Sequence, residues 1–157
     1  FDALNRFLLG VHQKGMTSVL ILDEAQNLSV KTLEQIRLLS NLETETDKLL
    51  QIVLVGQPEL REHLRDSSLV QLRQRISIRY HLPALDAGET AEYIRHRLRV
   101  AGDDGRVLFT PEAVAAIYAS SQGIPRLING LCDKLMLAAY VKESWTIDEK
   151  LVETVDQ

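Results

Sequence analysis

Two adjacent carboxylates, Asp23 and Glu24, follow directly on the apolar run Val19-Leu20-Ile21-Leu22. Transfer of a phosphoryl group to water needs a carboxylate to hold Mg²⁺ near the β- and γ-phosphates and a second group to orient or deprotonate the water. Open α/β sheets bind ligands outside the carboxyl ends of their strands. Two acids at the end of a buried-type strand suit those two tasks, with Asp23 on the metal side and Glu24 as the base. A loop that merely opens on two acids would contain the same residues, so the pair needs corroboration from the rest of the chain.

Three further places in the sequence bear on that chemistry. The run Ile52-Val53-Leu54-Val55 leads through Gly56 to Gln57. The Gln57 amide could bond a γ-phosphate or its water, or could serve as a helix N-cap ahead of Pro58. Arg73 and Arg75 precede a third apolar segment. An arginine delivered across a subunit interface stabilises transition-state charge, and a solvated pair is the plainer alternative. Arg126 falls in the first turn of a helix opened by Pro125. A cation there opposes the helix dipole, so either an anionic partner or simple solvation accounts for it. Arg95, Arg97 and Arg99 point in different directions from one helix and read as solvated.

The phosphate-cradling pattern G-x-x-x-x-G-K-[ST] is missing, since none of the 8 glycines precedes a lysine. The chain begins at Phe1 and not at Met. It therefore reads as a piece of a longer protein with that loop upstream, and the piece alone is expected not to bind ATP. Cys132, His12, His63, His81 and His96 lack metal-ligand spacing.

The elements that would hold these residues follow from periodicity. Leu4, Phe7, Leu8 and Val11 predict a helix over 1–13. Residues 17–22 and 51–55 read as strands buried on both faces. Between them Ser29 caps a helix carrying Leu33, Ile36, Leu39 and Leu42, and the charged stretch 43–48 is a turn. Pro58 is placed at the first position of a helix over 58–64, followed by a short helix over 69–73. Ile76, Ile78, Tyr80 and Leu82 alternate with Ser77, Arg79 and His81, which predicts a third strand. No strand is expected after Pro83. Asp86 and Glu89 suggest a capping box for a helix ending at Gly102, and Thr110-Pro111 opens another that ends at Gly123. Pro125 opens a long helix burying Leu127, Leu131, Leu135 and Ala138, and a last helix covers 148–155. The expected organisation is an α/β part over residues 1–85 and an all-helical part over 86–157.

The 157 residues are 45% apolar and 25% charged, ordinary values for one domain or a domain with a small satellite. No apolar run approaches the roughly 20 residues needed to cross a bilayer. The net charge of −4 argues against a general polyanion binder. A single cysteine excludes an internal disulfide and suits a reducing compartment.

The runs VLILDEAQNLSVKTLEQIRLLSNLET, QIVLVGQPELREHL, LVQLRQRISIRYHLPALDAGETAEYIRHRLRVAG, LFTPEA and GIPRLINGLCDKLMLAA closely resemble AAA+ ATPases of the general secretion pathway A type, across nearly the whole chain. The resemblance implies a partial P-loop core, with a parallel sheet, followed by a helical lid. It makes Asp23 and Glu24 the Walker B pair and puts Gln57 at sensor 1. It places Arg75, and less directly Arg73, at the arginine finger, and Arg126 at sensor 2 of the lid. It further implies ATP and Mg²⁺ as ligands, with Mg²⁺ held by Asp23 through water, and self-association so that the finger acts in trans. The implied partner is an inner-membrane secretion-pathway protein. The implied place is the cytoplasmic domain of a bacterial inner-membrane protein that drives assembly of a secretion or pilus machine.

Two other functions fit some of the same residues. A DNA-acting AAA+ adaptor of the transposition type shares the GxPR turn, but it calls for a basic face that a net acidic chain does not advertise. A non-enzymatic scaffold would use the acids and arginines structurally.

Overall fold

The computed structural model describes residues 1–156. They form two compact units, Phe1–Tyr80 and His81–Gln157, whereas the change in sequence character falls at residues 85 and 86.

In the first unit, α1 (Asp2–His12) leads through Gly15 to β1 (Ser18–Leu22). A single 3-10 turn, Ala25–Asn27, precedes α2 (Val30–Leu39), whose N-cap Ser29 accepts the Thr32 N–H through its side chain. After the polar turn at 43–48, β2 (Leu50–Leu54) pairs with β1 in parallel, in register from Ser18↔Leu50 to Leu22↔Leu54. Residues with side chains two apart share a sheet face. Leu20, Leu22, Ile52 and Leu54 pack against Leu8 of α1, Leu33 and Ile36 of α2, and the buried Leu69 and Leu72.

The opposite face is open, with Val19 52%, Ile21 64% and Val53 43% exposed. The expectation of strands buried on both faces is thus corrected: among the described residues, helices cover one side only. A continuous apolar run cannot by itself distinguish a doubly covered strand from one with a bare apolar face.

Helix α3 (Glu59–His63) begins one residue later than expected, with Pro58 at its N-cap. A short turn at Ser67–Leu69 leads into α4 (Val70–Arg75). The strand predicted over 76–82 does not form. The segment is extended or irregular and unpaired, and Ile78, Tyr80 and Leu82 are 85%, 83% and 80% exposed. Alternation specifies a strand only when a ladder is there to accept it, and among the described residues none pairs with this segment.

The second unit is helical around one core. Helix α5 (Ala87–Val100) has the predicted capping box, with the Asp86 side chain accepting the Glu89 N–H and the Glu89 side chain accepting the Asp86 N–H. Thr110 caps α6 (Pro111–Ser121), Pro125 opens α7 (Pro125–Val141), and Asp148 caps α8 (Glu149–Val155). Ile94, Ile117, Ile128, Leu135, Ile147 and Val152 form the centre of the core. The inward face of α7 is Ile128, Leu131, Cys132, Leu135 and Ala139, so Leu127, expected inside, lies outside. The 3.6-residue period starting from Ile128 carries the buried stripe one position past Leu127.

The unit also contains strands that the sequence did not predict. β3 (Leu108–Phe109) and β4 (Thr146–Ile147) pair in parallel. Each has two residues, too short for any period to register. The turn between α6 and α7 requires Gly123. Its φ is +71°, its carbonyl accepts the Leu85 N–H at 3.0 Å, and a Cβ there would lie 1.9 Å from the Leu85 oxygen.

Candidate active site

The site is built where β1 and β2 end side by side. The Val55 N–H donates to the Leu22 carbonyl and the Ala25 N–H donates to the Val55 carbonyl, both at 2.9 Å. Asp23 and Glu24 lie between those two bonds and are pushed out of the ladder. Glu24 takes up the turn in the left-handed region, with φ 51° and ψ 37°. A non-glycine residue there carries strain on the order of 1 kcal/mol, and strain of this kind concentrates at functional sites.

The displaced acids are exposed and held by hydrogen bonds. Asp23 Oδ1 accepts the Glu24 N–H at 2.8 Å. Glu24 Oε2 accepts from Gln26 Nε2 and lies 3.5 Å from Gln57 Nε2. Gln26 Oε1 accepts the Gln57 N–H at 3.1 Å. Four side chains from the two strand ends, Asp23, Glu24, Gln26 and Gln57, thus form one connected polar group. Gln57 does not cap the following helix, since Pro58 occupies the N-cap.

Sequence reasoning missed Gln26 and the role of Gly56. A Cβ on Gly56 would lie 2.6 Å from Gln26 Oε1, so the missing side chain is what admits the glutamine. The available signal was an amide two residues beyond Glu24, facing a Gly-Gln pair at the end of the next strand.

The arginines are placed elsewhere. Arg73 is half-buried and its Nη1 donates to the carbonyls of Leu64 and Arg65, at 3.3 and 3.4 Å. Arg75 is exposed and donates to Ser40 Oγ at 3.2 Å. Neither joins the Asp23–Gln57 group by a hydrogen bond. Arg126 is exposed in the first turn of α7, in the second unit.

Among the described residues no three His, Cys, Asp or Glu side chains could cage a metal ion. Mg²⁺ keeps several waters and is commonly held by one or two carboxylates together with substrate phosphates, and Asp23, with one oxygen outside its backbone bond, fits a water-mediated contact.

Residues 1–64 match a family model described as an AAA domain. The chain is 48% identical over 147 residues to general secretion pathway protein A of Aeromonas hydrophila, covering 94% of this chain and 27% of that protein. It is 34% identical over 102 residues to an uncharacterized HTH-type transcriptional regulator of Methanocaldococcus jannaschii, covering 63% of this chain and 25% of the regulator. Among solved structures it resembles the RuvB Holliday junction branch migration motor of Thermotoga maritima, with a TM-score of 0.67, 21% identity, and coverage of 87% of this chain and 43% of that one. Cdc6p from Pyrobaculum aerophilum is similar, with a TM-score of 0.63, 20% identity, and coverage of 92% and 40%.

The fold is shared with that branch migration motor and with Cdc6p. Residues 1–64 match the AAA domain, and the chain is homologous along nearly its whole length to part of general secretion pathway protein A. It spans about a quarter of that relative's length.

Proposed function

We propose that this chain supplies the water-activating half of an ATPase site, in a protein that hydrolyses ATP to drive assembly of a secretion or pilus machine in the cell envelope. The observation that carries the reading is the convergence of Asp23, Glu24 and Gln57 at the ends of two adjacent parallel strands, with Glu24 Oε2 facing the Gln57 amide at 3.5 Å. In this reading Asp23 holds Mg²⁺ through water, and the bound ion neutralises charge developing on the phosphates. Glu24 takes the proton of the attacking water. Gln57 orients that water or bonds the γ-phosphate as the sensor 1 residue. Arg75 acts on the site of a neighbouring subunit, and Arg126 binds phosphate from the lid as sensor 2.

The phosphate cradle is not among these 157 residues, because no glycine precedes a lysine. The reading therefore requires the cradle from elsewhere in the whole protein. Arg73, half-buried and spent on two backbone carbonyls, supports the fold more directly than it supports a finger, which leaves Arg75 as the better candidate. The domain would work on the cytoplasmic side of the inner membrane, beside a membrane-embedded secretion partner. No helix among the described residues is long and apolar enough to cross a membrane. The likeness to the secretion-pathway relative supports this setting.

The test is Glu24→Gln in the complete protein. ATP binding is expected to persist while turnover is lost. Turnover at the wild-type rate would remove Glu24 as the base and the reading with it.

A second reading is favoured by the archaeal relative, whose name is that of an HTH-type transcriptional regulator. On it the ATPase would act on DNA. A duplex affinity that falls steeply with salt would support that function, and the net charge of −4 weighs against it.

A further inference from the structure

We propose that Gln26 is a positioning residue that locks the Glu24 carboxylate to the Gln57 loop, an inference that rests on the ATPase reading above. Gln26 sits in the 3-10 turn Ala25–Asn27, and its side chain bridges two elements. Its Nε2 donates to Glu24 Oε2 while its Oε1 accepts the Gln57 N–H at 3.1 Å.

The bridge has a direction. An amide has one donor end and one acceptor end. Reversed, it would set its oxygen against a carboxylate and its NH₂ against an N–H. Both neighbours therefore demand the same orientation. A glutamate at this position would keep the bond from Gln57 N–H and set a second negative charge against Glu24. An alanine would break both bonds.

Gly56 is the other half of the device. Its absent side chain leaves the space that Gln26 Oε1 occupies, at 2.6 Å from where a Cβ would be. Its φ does not fall in the left-handed region, so the close approach accounts for the glycine and backbone freedom does not. Gln57 lies one residue further along. A displacement of its backbone moves Gln26, and through Gln26 moves Glu24. The bonds engage Oε2 of Glu24 and leave Oε1 outside them, free to accept a proton from water.

The bridge acts on the geometry of the base and not on the affinity for nucleotide. Misplacing a reacting group by about 1 Å can cost on the order of 100-fold in rate. In the complete protein, Gln26→Ala is expected to lower kcat by about 10- to 100-fold, with the Kd for a fluorescent ATP analogue unchanged within about twofold. Gly56→Ala is expected to reproduce that loss by driving the amide out of place. In a double-mutant cycle the two losses are expected to add only in small part, because once Gln26 is gone the Cβ of Gly56→Ala no longer meets the amide oxygen and keeps only the milder approaches to Leu60 Cδ2 at 3.2 Å and Ala25 N at 3.3 Å. Full additivity, or a wild-type kcat in Gln26→Ala, would overturn the inference. Glu24→Gln measured alongside separates the two levels. If it is dead while Gln26→Ala is fully active, only the bridge fails. If Glu24→Gln itself turns over normally, the ATPase reading fails first.

Discussion

The Val55 carbonyl accepts the Ala25 N–H at 2.9 Å, and its own N–H reaches back to Leu22. One residue of β2's extension therefore brackets two residues of the neighbouring loop. The bracket expels Asp23 and Glu24 from the sheet while keeping their backbone tied to it, so both carboxylates point from a rigid frame into solvent.

The bracket sets a trade between stability and chemistry at Glu24. Its left-handed conformation, φ 51°, suits glycine better than any side chain. Glu24→Gly is expected to leave stability equal or higher, by up to about 1 kcal/mol in urea unfolding, while abolishing turnover. Glu24→Val, β-branched at the same φ, is expected to lose about 1–2 kcal/mol. A Glu24→Gly protein less stable than Glu24→Val would contradict the strain argument.

Arg73 and Arg75 are expected to separate by phenotype. Arg73→Ala loses bonds to the Leu64 and Arg65 carbonyls and is expected to cost about 1–2 kcal/mol of stability. Arg75→Ala loses one exposed bond to Ser40 and is expected to stay within about 0.5 kcal/mol of wild type. If Arg75 acts in trans, mixing Arg75→Ala subunits with Glu24→Gln subunits restores part of the lost turnover. No recovery at any ratio in a demonstrated mixed oligomer would count against the trans role.

Gly123 is expected to be the least replaceable glycine of the helical unit. Gly123→Ala combines a φ of +71° with a Cβ 1.9 Å from the Leu85 oxygen. We expect a loss above about 2 kcal/mol, seen as a melting transition lowered by several degrees. Gly130→Ala meets nothing within 4 Å and sits inside α7. It is expected to stabilise by about 0.5–1 kcal/mol.

Cys132 gives a pH dependence. Burial, helped by Asp133, pushes its thiol up from 9.0 to about 12. The folded chain therefore holds this proton at a pH where the unfolded chain releases it. Stability from this group is complete below pH 9 and is lost as the pH rises towards 12, by at most about 1.4 kcal/mol per unit. The unfolding free energy of wild type is expected to fall more steeply over that window than that of Cys132→Ala. The folded protein should also react slowly with an aromatic disulfide reagent at pH 8, and the urea-unfolded protein quickly. Parallel slopes for the two proteins would refute the assignment.

Much of this architecture was legible because local chemistry and fold agree. Ser29, Asp86 and Thr110 cap helices where their side chains predict, and the apolar runs Val19–Leu22 and Ile52–Leu54 lie within β1 and β2. Legibility failed where a residue depends on a partner distant in sequence. The alternation of Ile76 to Leu82 marks a strand only in the presence of a ladder. Leu108 and Phe109 pair with residues too few to show a period. At the site, Asp23 and Glu24 are conspicuous in the chain. Gln26 is not, because its meaning lies in the Gln57 N–H and the bare Cα of Gly56, contributed by another strand.

The small pairing of β3 with β4 has a consequence for the order of folding. Leu108 and Thr110 donate to the carbonyls of Trp145 and Ile147 at 2.9 and 3.0 Å, closing a loop that contains all of α6 and α7. Bringing ends together across some forty residues costs loop entropy that two or three bonds cannot offset alone. The ladder therefore closes only after the two helices have docked and shortened the gap. Leu108 and Thr110 should show φ-values near zero, and their amides should be among the first in the helical unit to exchange by local opening.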